Sequence, residues 1–119
     1  CHYILIGADG AAPAPDAPAA GFSLSRTGFE EEELLLFGVD PQYRRRGLGR
    51  SMLAMLADGA RSRGAKRLLL EMRRGNSAEV LYRQFGFTPI GLRPNYYRMP
   101  GGDRIDAITF AAPIDSTGE

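Results

Sequence analysis

Residues 41–53 read PQYRRRGLGRSML, with Arg44, Arg45, Arg46 and Arg50 set around Gly47 and Gly49. Guanidinium groups carry a permanent charge and a planar fork of donors matched to phosphate oxygens. Glycine lets main-chain N–H groups reach an anion with no Cβ in the way. The chemistry such a run serves is the holding of a pyrophosphate. Residues 33–39 (ELLLFGV) are an apolar run of strand length, and Asp40-Pro41 marks a chain reversal. Downstream, Leu48, Met52, Met55, Leu56 and Gly59 recur at intervals of three and four, which predicts a helix over 49–62 with one apolar face. The loop therefore opens a helix, where the first N–H groups lack intrahelical partners and carry the positive end of the dipole.

A Walker loop is excluded because Gly49 is followed by Arg50-Ser51, and a dinucleotide fingerprint would need a third glycine at Met52. What does fit is Gln/Arg-x-x-Gly-x-Gly/Ala, present as Arg44-Arg45-Arg46-Gly47-Leu48-Gly49. This resembles the acetyl-CoA signature of the GCN5-related N-acetyltransferases, the GNAT superfamily. Without the resemblance, a solvated arginine- and glycine-rich turn accounts for the same residues.

A second constellation lies at 68–87, LLLEMRRGNSAEVLYRQFGF. Residues 66–72 have the composition of a buried strand. Residues 76–85 read as a helix, capped by Asn76 or Ser77 and stopped at Gly86. LEMR, Asn76 and LYRQFGF are similar to the ribosomal-protein-alanine N-acetyltransferase branch of the GNAT superfamily, whose members acetylate the N-terminus of a small-subunit ribosomal protein. PNYYRM at 94–99 and Asp106-Ala107-Ile108 are similar to the segment that closes those enzymes. The resemblance spans residues 21–110.

The elements that must position these residues begin with a strand over 3–6. An Ala/Pro-rich stretch follows at 9–20, where Pro13, Pro15 and Pro18 exclude a helix or central strand; it reads as an exposed, mobile hairpin loop. A half-buried strand over 21–27 alternates Phe22, Leu24 and Arg26 against Ser23 and Ser25. After a turn at Gly28 comes the strand 30–39, whose carboxylate run 30–33 reads as a solvated entrance. Beyond the two helices, strands over 87–92 and 104–110 are joined by a loop holding Pro94, Pro100, Gly101 and Gly102. The order β, β, β, α, β, α, β, β gives the α/β class, a mixed α+β sandwich with a mostly antiparallel sheet flanked by helices. The resemblance implies the GNAT fold without its first strand and first two helices, because the chain opens at Cys1 in what resembles the second strand. A fragment of a longer relative is expected, the alternative being a severely shortened one.

At 119 residues and 44% hydrophobic, the chain is expected to form one domain, 1–119. A net charge of +1 argues against direct nucleic-acid binding. The single cysteine, Cys1, forms no internal disulfide, and with the single histidine, His2, it makes no metal site, so no metal is expected. No apolar run approaches the ~18 residues needed to span a bilayer, and no basic-then-apolar leader is present. The expected setting is the cytoplasm, with no membrane partner.

The resemblance implies acetyl transfer from acetyl-CoA to an amine. That reaction needs the amine deprotonated, the thioester carbonyl polarised and the departing thiolate protonated. It assigns Glu71, the lone carboxylate of its apolar strand, as base, with partial burial expected to raise its pKa. It assigns Tyr82 as acid, since a phenol with a reference pKa of about 10 is protonated at neutral pH. The plainer alternatives are a surface Glu71 paired with Arg73 or Arg98, and a Tyr82 that only packs beside Leu81 and Phe85. By resemblance, Arg44, Arg45, Arg46, Gly47, Leu48, Gly49 and Arg50 hold the cofactor's pyrophosphate. Phe37, Gly38 and Val39 take its thioester with a strand N–H as oxyanion donor, and Gly38 makes an irregularity in that strand plausible. Asn76 either contacts the cofactor or caps its helix. Tyr96 and Tyr97, in a proline-flanked loop, border the acceptor peptide or act as lids over the core. The branch often carries a basic residue where Pro94 stands and an acid where Ile105 stands, which weakens any inference about the peptide. Three functions compete: acetylation of the N-terminus of a protein such as an alanine-first ribosomal protein, acetylation of a lysine side chain or small amine, and noncatalytic CoA or partner binding. Glu71 and Tyr82 together disfavour the third.

Overall fold

The computed structural model describes residues 1–44 and 46–114. Strands β1 (His2–Ile6), β2 (Gly21–Gly28) and β3 (Glu31–Val39) form an antiparallel meander. A short 3-10 turn (Pro41–Tyr43) then leads into α1 (Leu48–Ser62), followed by β4 (Arg67–Arg73), α2 (Glu79–Phe85), β5 (Thr88–Arg98) and β6 (Arg104–Pro113). The six strands make one sheet in the order β1-β2-β3-β4-β6-β5, and among the described residues β3–β4 is its one parallel pair. No helix among the described residues is long and apolar enough to cross a membrane.

Leu34, Leu70 and Phe110 sit in register across β3, β4 and β6, so they share a face. They pack in one buried cluster with Leu53, Leu56, Ala57 and Ala60 of α1 and with Tyr82 of α2. Both described helices therefore lie on the same side of the sheet. A smaller cluster of Ile6, Ala20, Leu48 and Met52 seats the start of α1 over β1. The other side carries Tyr3, Leu5, Phe22 and Leu36, all exposed. The helical period expected over 49–62 holds, but the buried stripe is Leu48, Met52, Leu53, Leu56, Ala57 and Ala60, with Met55 and Gly59 at its edge.

The alternation expected in β2 also holds, yet Ser23 and Ser25 are its buried members and the Phe22 ring lies on the helix-free side. Small residues are required where α1 comes close. A Cβ on Gly21 would stand 2.9 Å from the Gly38 carbonyl oxygen and 3.0 Å from Met52 Cε. Because the nearest atom is backbone, Gly21→Ala is expected to cost about 1–3 kcal/mol of stability, read from the midpoint of urea unfolding.

The carboxylate run is a solvated entrance only in part, since Glu30, Glu31 and Glu33 reach solvent and Glu32 does not. Each member has a cation from elsewhere in the chain: Glu30 with Lys66, Glu31 with Arg67, Glu32 with Arg63 and Glu33 with Arg26. Glu32 is fully buried and accepts from Arg63 Nε at 2.9 Å, from Arg63 Nη2 at 2.5 Å and from Ser25 Oγ. Burial alone would raise its pKa. The hydrogen bonds from Arg63 and Ser25, with the charge of Arg63, outweigh that and hold the carboxyl below its ordinary value.

β5 runs on through Tyr96 and Tyr97 to Arg98, so the two tyrosines lie in a strand and not in a proline-flanked loop. β5 is an edge strand, where the missing N–H of Pro94 costs no ladder bond. The pairing with β6 absorbs the proline in a wide bulge between Arg93↔Ala107 and Tyr97↔Ile105. Within the bulge Asn95 adopts φ 55° and donates its N–H to Asp106 Oδ1 at 3.0 Å. Asp106 Oδ2 accepts from Arg74 Nε at 3.1 Å and Nη2 at 2.9 Å. The Asn95 bond, then the Arg74 bonds, hold the Asp106 carboxyl below its usual range.

Candidate active site

β3 and β4 pair over four positions, from Glu31↔Arg67 to Leu34↔Leu70, and then separate. At the same point the β2–β3 register jumps from Leu24↔Leu36 to Ser25↔Leu34, leaving Leu35 as an extra residue. The irregularity expected at Gly38 is therefore at Leu35. Glycine at 38 has a different cause: the Phe22 ring lies against it, and a Cβ there would be 3.0 Å from Phe22 Cε1. Beyond the bulge, β3 has a strand partner on one side. Asp40 donates its N–H across to the Ala20 carbonyl at 2.7 Å. Strand groups alternate, so the N–H groups of Phe37 and Val39 turn toward the opened side.

The separation opens a cleft of about 600 Å³ whose walls include Phe37, Gly38 and Val39 on β3, Gly47 and Gly49 at the start of α1, and Asn76 and Tyr82. Gly47 caps α1 in the left-handed conformation, φ 75°, with nothing within 4 Å of a Cβ; the backbone angle, not crowding, calls for glycine. At Gly49 the reason is space. A Cβ would meet Leu81 Cδ2 at 2.9 Å and the Phe37 ring at 3.6 Å, so glycine lets α1 begin close against α2.

Arg44 and Arg50 line the cleft, and Arg44 Nε donates to the Val39 carbonyl at 3.4 Å. Leu48 is also among the lining residues, and it is buried in the smaller core cluster. Arg46 does not line the cleft; its guanidinium lies 5.3 Å over the Tyr43 ring. Arg45 lies outside the described residues. Ser77, Ala78, Leu81 and Gln84 complete one wall and were not anticipated, although their spacing of three and four beside Tyr82 is a helical signal.

α2 begins at Glu79, three residues later than expected, and ends as expected at Gly86, φ 119°. Asn76 sits in the preceding turn, where its Oδ1 accepts from the Ala78 N–H at 2.9 Å. Neither Asn76 nor Ser77 caps α2, whose N-cap is Ala78 without a side-chain bond; the Asn76 turn occupies the amide oxygen and leaves its NH2 group on the cleft wall. Tyr82 is 7% exposed and packs edge-to-face between Phe37 and Phe87, at 5.9 and 5.6 Å. Among the described residues its hydroxyl has no hydrogen-bond partner, and burial pushes the phenol above its ordinary pKa.

Glu71 is the first β4 residue past the last β3–β4 pair, and its side chain falls on the helix-free side, outside the cleft lining. Its cation is neither Arg73 nor Arg98 but Arg93, with Nε 3.2 Å from Oε2. The Arg93 guanidinium also lies 5.1 Å over the Tyr96 ring, and Tyr96 and Tyr97 meet edge-to-face at 5.2 Å. Burial, then the charge of Glu71, raises the Tyr97 phenol. The candidate residues thus form two groups, the arginine loop with Tyr82 on one face and Glu71 with the tyrosine pair on the other. The gap between β3 and β4 joins them.

Residues 4–89 match the family model described as an acetyltransferase (GNAT) domain. The chain is 42% identical over 96 residues to the ribosomal protein bS18-alanine N-acetyltransferase of Escherichia coli, covering 80% of this chain and 64% of that relative. It is 48% identical over 86 residues to the N-alpha-acetyltransferase RimI of Mycobacterium tuberculosis, covering 71% and 52%. The chain therefore spans less than two thirds of the length of these two relatives. The crystal structure of the Escherichia coli ribosomal-protein-S18-alanine N-acetyltransferase is similar with a TM-score of 0.76 at 39% identity, over 89% of this chain and 68% of that one.

Proposed function

This chain belongs to the GNAT acetyltransferase family, and from that premise we propose that it transfers acetyl from acetyl-CoA to the N-terminal amine of a protein, an alanine-first ribosomal protein being the acceptor its relatives suggest. The observation that carries the reading is the β3–β4 separation, with anion-holding groups on one side and a carboxylate at its edge on the other. The cleft fits a phosphorylated cofactor. It offers a helix start behind a left-handed glycine, with Arg44 and Arg50 beside it and room for an extended arm.

Acetyl-CoA supplies the acyl group already activated as a thioester. The N–H of Phe37 or Val39 donates to the carbonyl oxygen as negative charge gathers there. Glu71 takes a proton from the acceptor amine, directly or through one water. The Tyr82 hydroxyl, protonated at neutral pH as any phenol is and pushed further up by burial, gives a proton to the departing sulfur.

Gly47→Asp tests the donor half. It places a carboxylate, and a side chain in an unfavourable backbone region, at the anion end of the cleft, and is expected to weaken acetyl-CoA binding by about tenfold or more in calorimetry. Unchanged affinity removes the assignment. Acetylation of a free-alanine peptide in preference to a lysine peptide, read by mass spectrometry, tests the acceptor half.

A further inference from the structure

We infer that Arg93 is the resident counter-ion of Glu71, and that a cationic acceptor amine displaces it from the carboxylate. The inference rests on the reading of Glu71 above, but adds a residue to which that reading gives no part. Arg93 pairs with Ala107 and Glu71 with Thr109, two positions apart on β6, so both side chains stand on the helix-free face. The contact, Nε to Oε2 at 3.2 Å, is an ion pair without hydrogen-bond alignment, and the Arg93 side chain is 61% exposed. Among the described residues Glu71 has no other side-chain ion pair.

A second attachment awaits the guanidinium, which already lies over the Tyr96 ring at 5.1 Å, a cation–π contact it keeps on leaving the carboxylate. The place of Tyr96 is fixed by the β5 bulge, pinned through Asn95, Asp106 and Arg74. A primary ammonium is a compact charge with three donors, and it satisfies the vacated oxygen without the planar reach that a guanidinium needs. The exchange replaces one cation by another at the carboxylate, so Glu71 stays paired as the acceptor enters. It selects for amines that arrive charged, and an acylated or otherwise neutral terminus has nothing to exchange.

The side-chain Nε resonance of Arg93 in the full chain reads this directly. It is first located in the wild type and in Glu71→Gln, then followed as a short peptide amide with a free alanine N-terminus is added, and separately with the N-acetylated form of that peptide. The free amine is expected to move the resonance toward its Glu71→Gln position, and the acetylated peptide is expected to leave it in place. Arg93→Gln, with no cation to displace, is expected to bind the free peptide up to about fivefold more tightly. A resonance that stays fixed with both peptides, or moves equally with both, overturns the inference. Acetyl transfer with a fixed resonance overturns the counter-ion role and leaves the proposed function standing. A selective shift with no transfer does the reverse.

Discussion

Glu71→Gln is expected to lower the turnover number by about 10²- to 10⁴-fold while leaving acetyl-CoA affinity unchanged. Glutamine keeps the size of the side chain and loses the ability to take a proton. Glu71 lies outside the lining of the cleft that holds the anion-binding groups, so donor binding has no reason to respond. The pH dependence separates a base from a merely structural carboxylate. A peptide α-amine has a reference pKa of roughly 7.7–8.0, so above that range the acceptor arrives deprotonated and the defect of the variant should shrink. A defect of equal size across the pH range assigns Glu71 to positioning, and full activity in the variant ends its candidacy. Steady-state rates with a free-alanine peptide, with donor affinity measured by calorimetry, give both answers.

The largest effect on stability is expected at Glu32. Glu32→Gln removes one partner of a buried ion pair and leaves the Arg63 guanidinium without its charge complement. Breaking such a pair costs about 3–5 kcal/mol, and the 30% exposure of Arg63 places this one near the lower end. A fall of roughly 10 °C in the thermal midpoint should follow. The native carboxyl titrates below its ordinary value of 4.5. Its contribution is therefore complete above that value and disappears as the pH falls through the folded-state pKa. The wild type should lose stability on acidification and the glutamine variant should lose less, so the two denaturation curves converge in acid. Parallel curves exclude Glu32 as the group responsible. Replacing both partners together, Glu32→Leu with Arg63→Met, should restore much of the loss, since the uncompensated charge goes with the pair.

Elements dictated by local chemistry were legible in advance. The helix after the arginine loop follows from a 3.6-residue period, whereas the left-handed angle that calls for its opening glycine is seen only in the structure. What escaped was set by neighbours distant in sequence. Ser23 and Ser25 are buried because α1 presses on β2, a closeness that no alternation within 21–27 reveals. The carboxylate run looks solvated when read alone, because its cations, Arg26, Arg63, Lys66 and Arg67, come from β2, the end of α1 and the start of β4. Pro94 signals a loop until β5 is known to be an edge strand, where proline is tolerated. Arg93 reaches Glu71 only through β6, which lies between their strands. The arginine loop at the start of α1 was thus written in one continuous motif, whereas the cleft around it and the Glu71–Arg93 pair are assembled by the fold.

The short parallel pairing also divides the sheet into two three-stranded halves, β1-β2-β3 and β4-β6-β5, sewn together at four strand positions. In mechanical terms the cleft is a seam. A ligand that touches β3 on one side and α2 on the other is a cross-brace, so part of its binding free energy goes into holding the halves together. At a ligand concentration one hundred times its dissociation constant, binding stabilises the folded chain by about 2.7 kcal/mol in all, a sizeable fraction of the total stability of a small protein, and the brace is a share of that. Occupancy and durability are then one linked quantity, and the protein is softest when the cleft is empty.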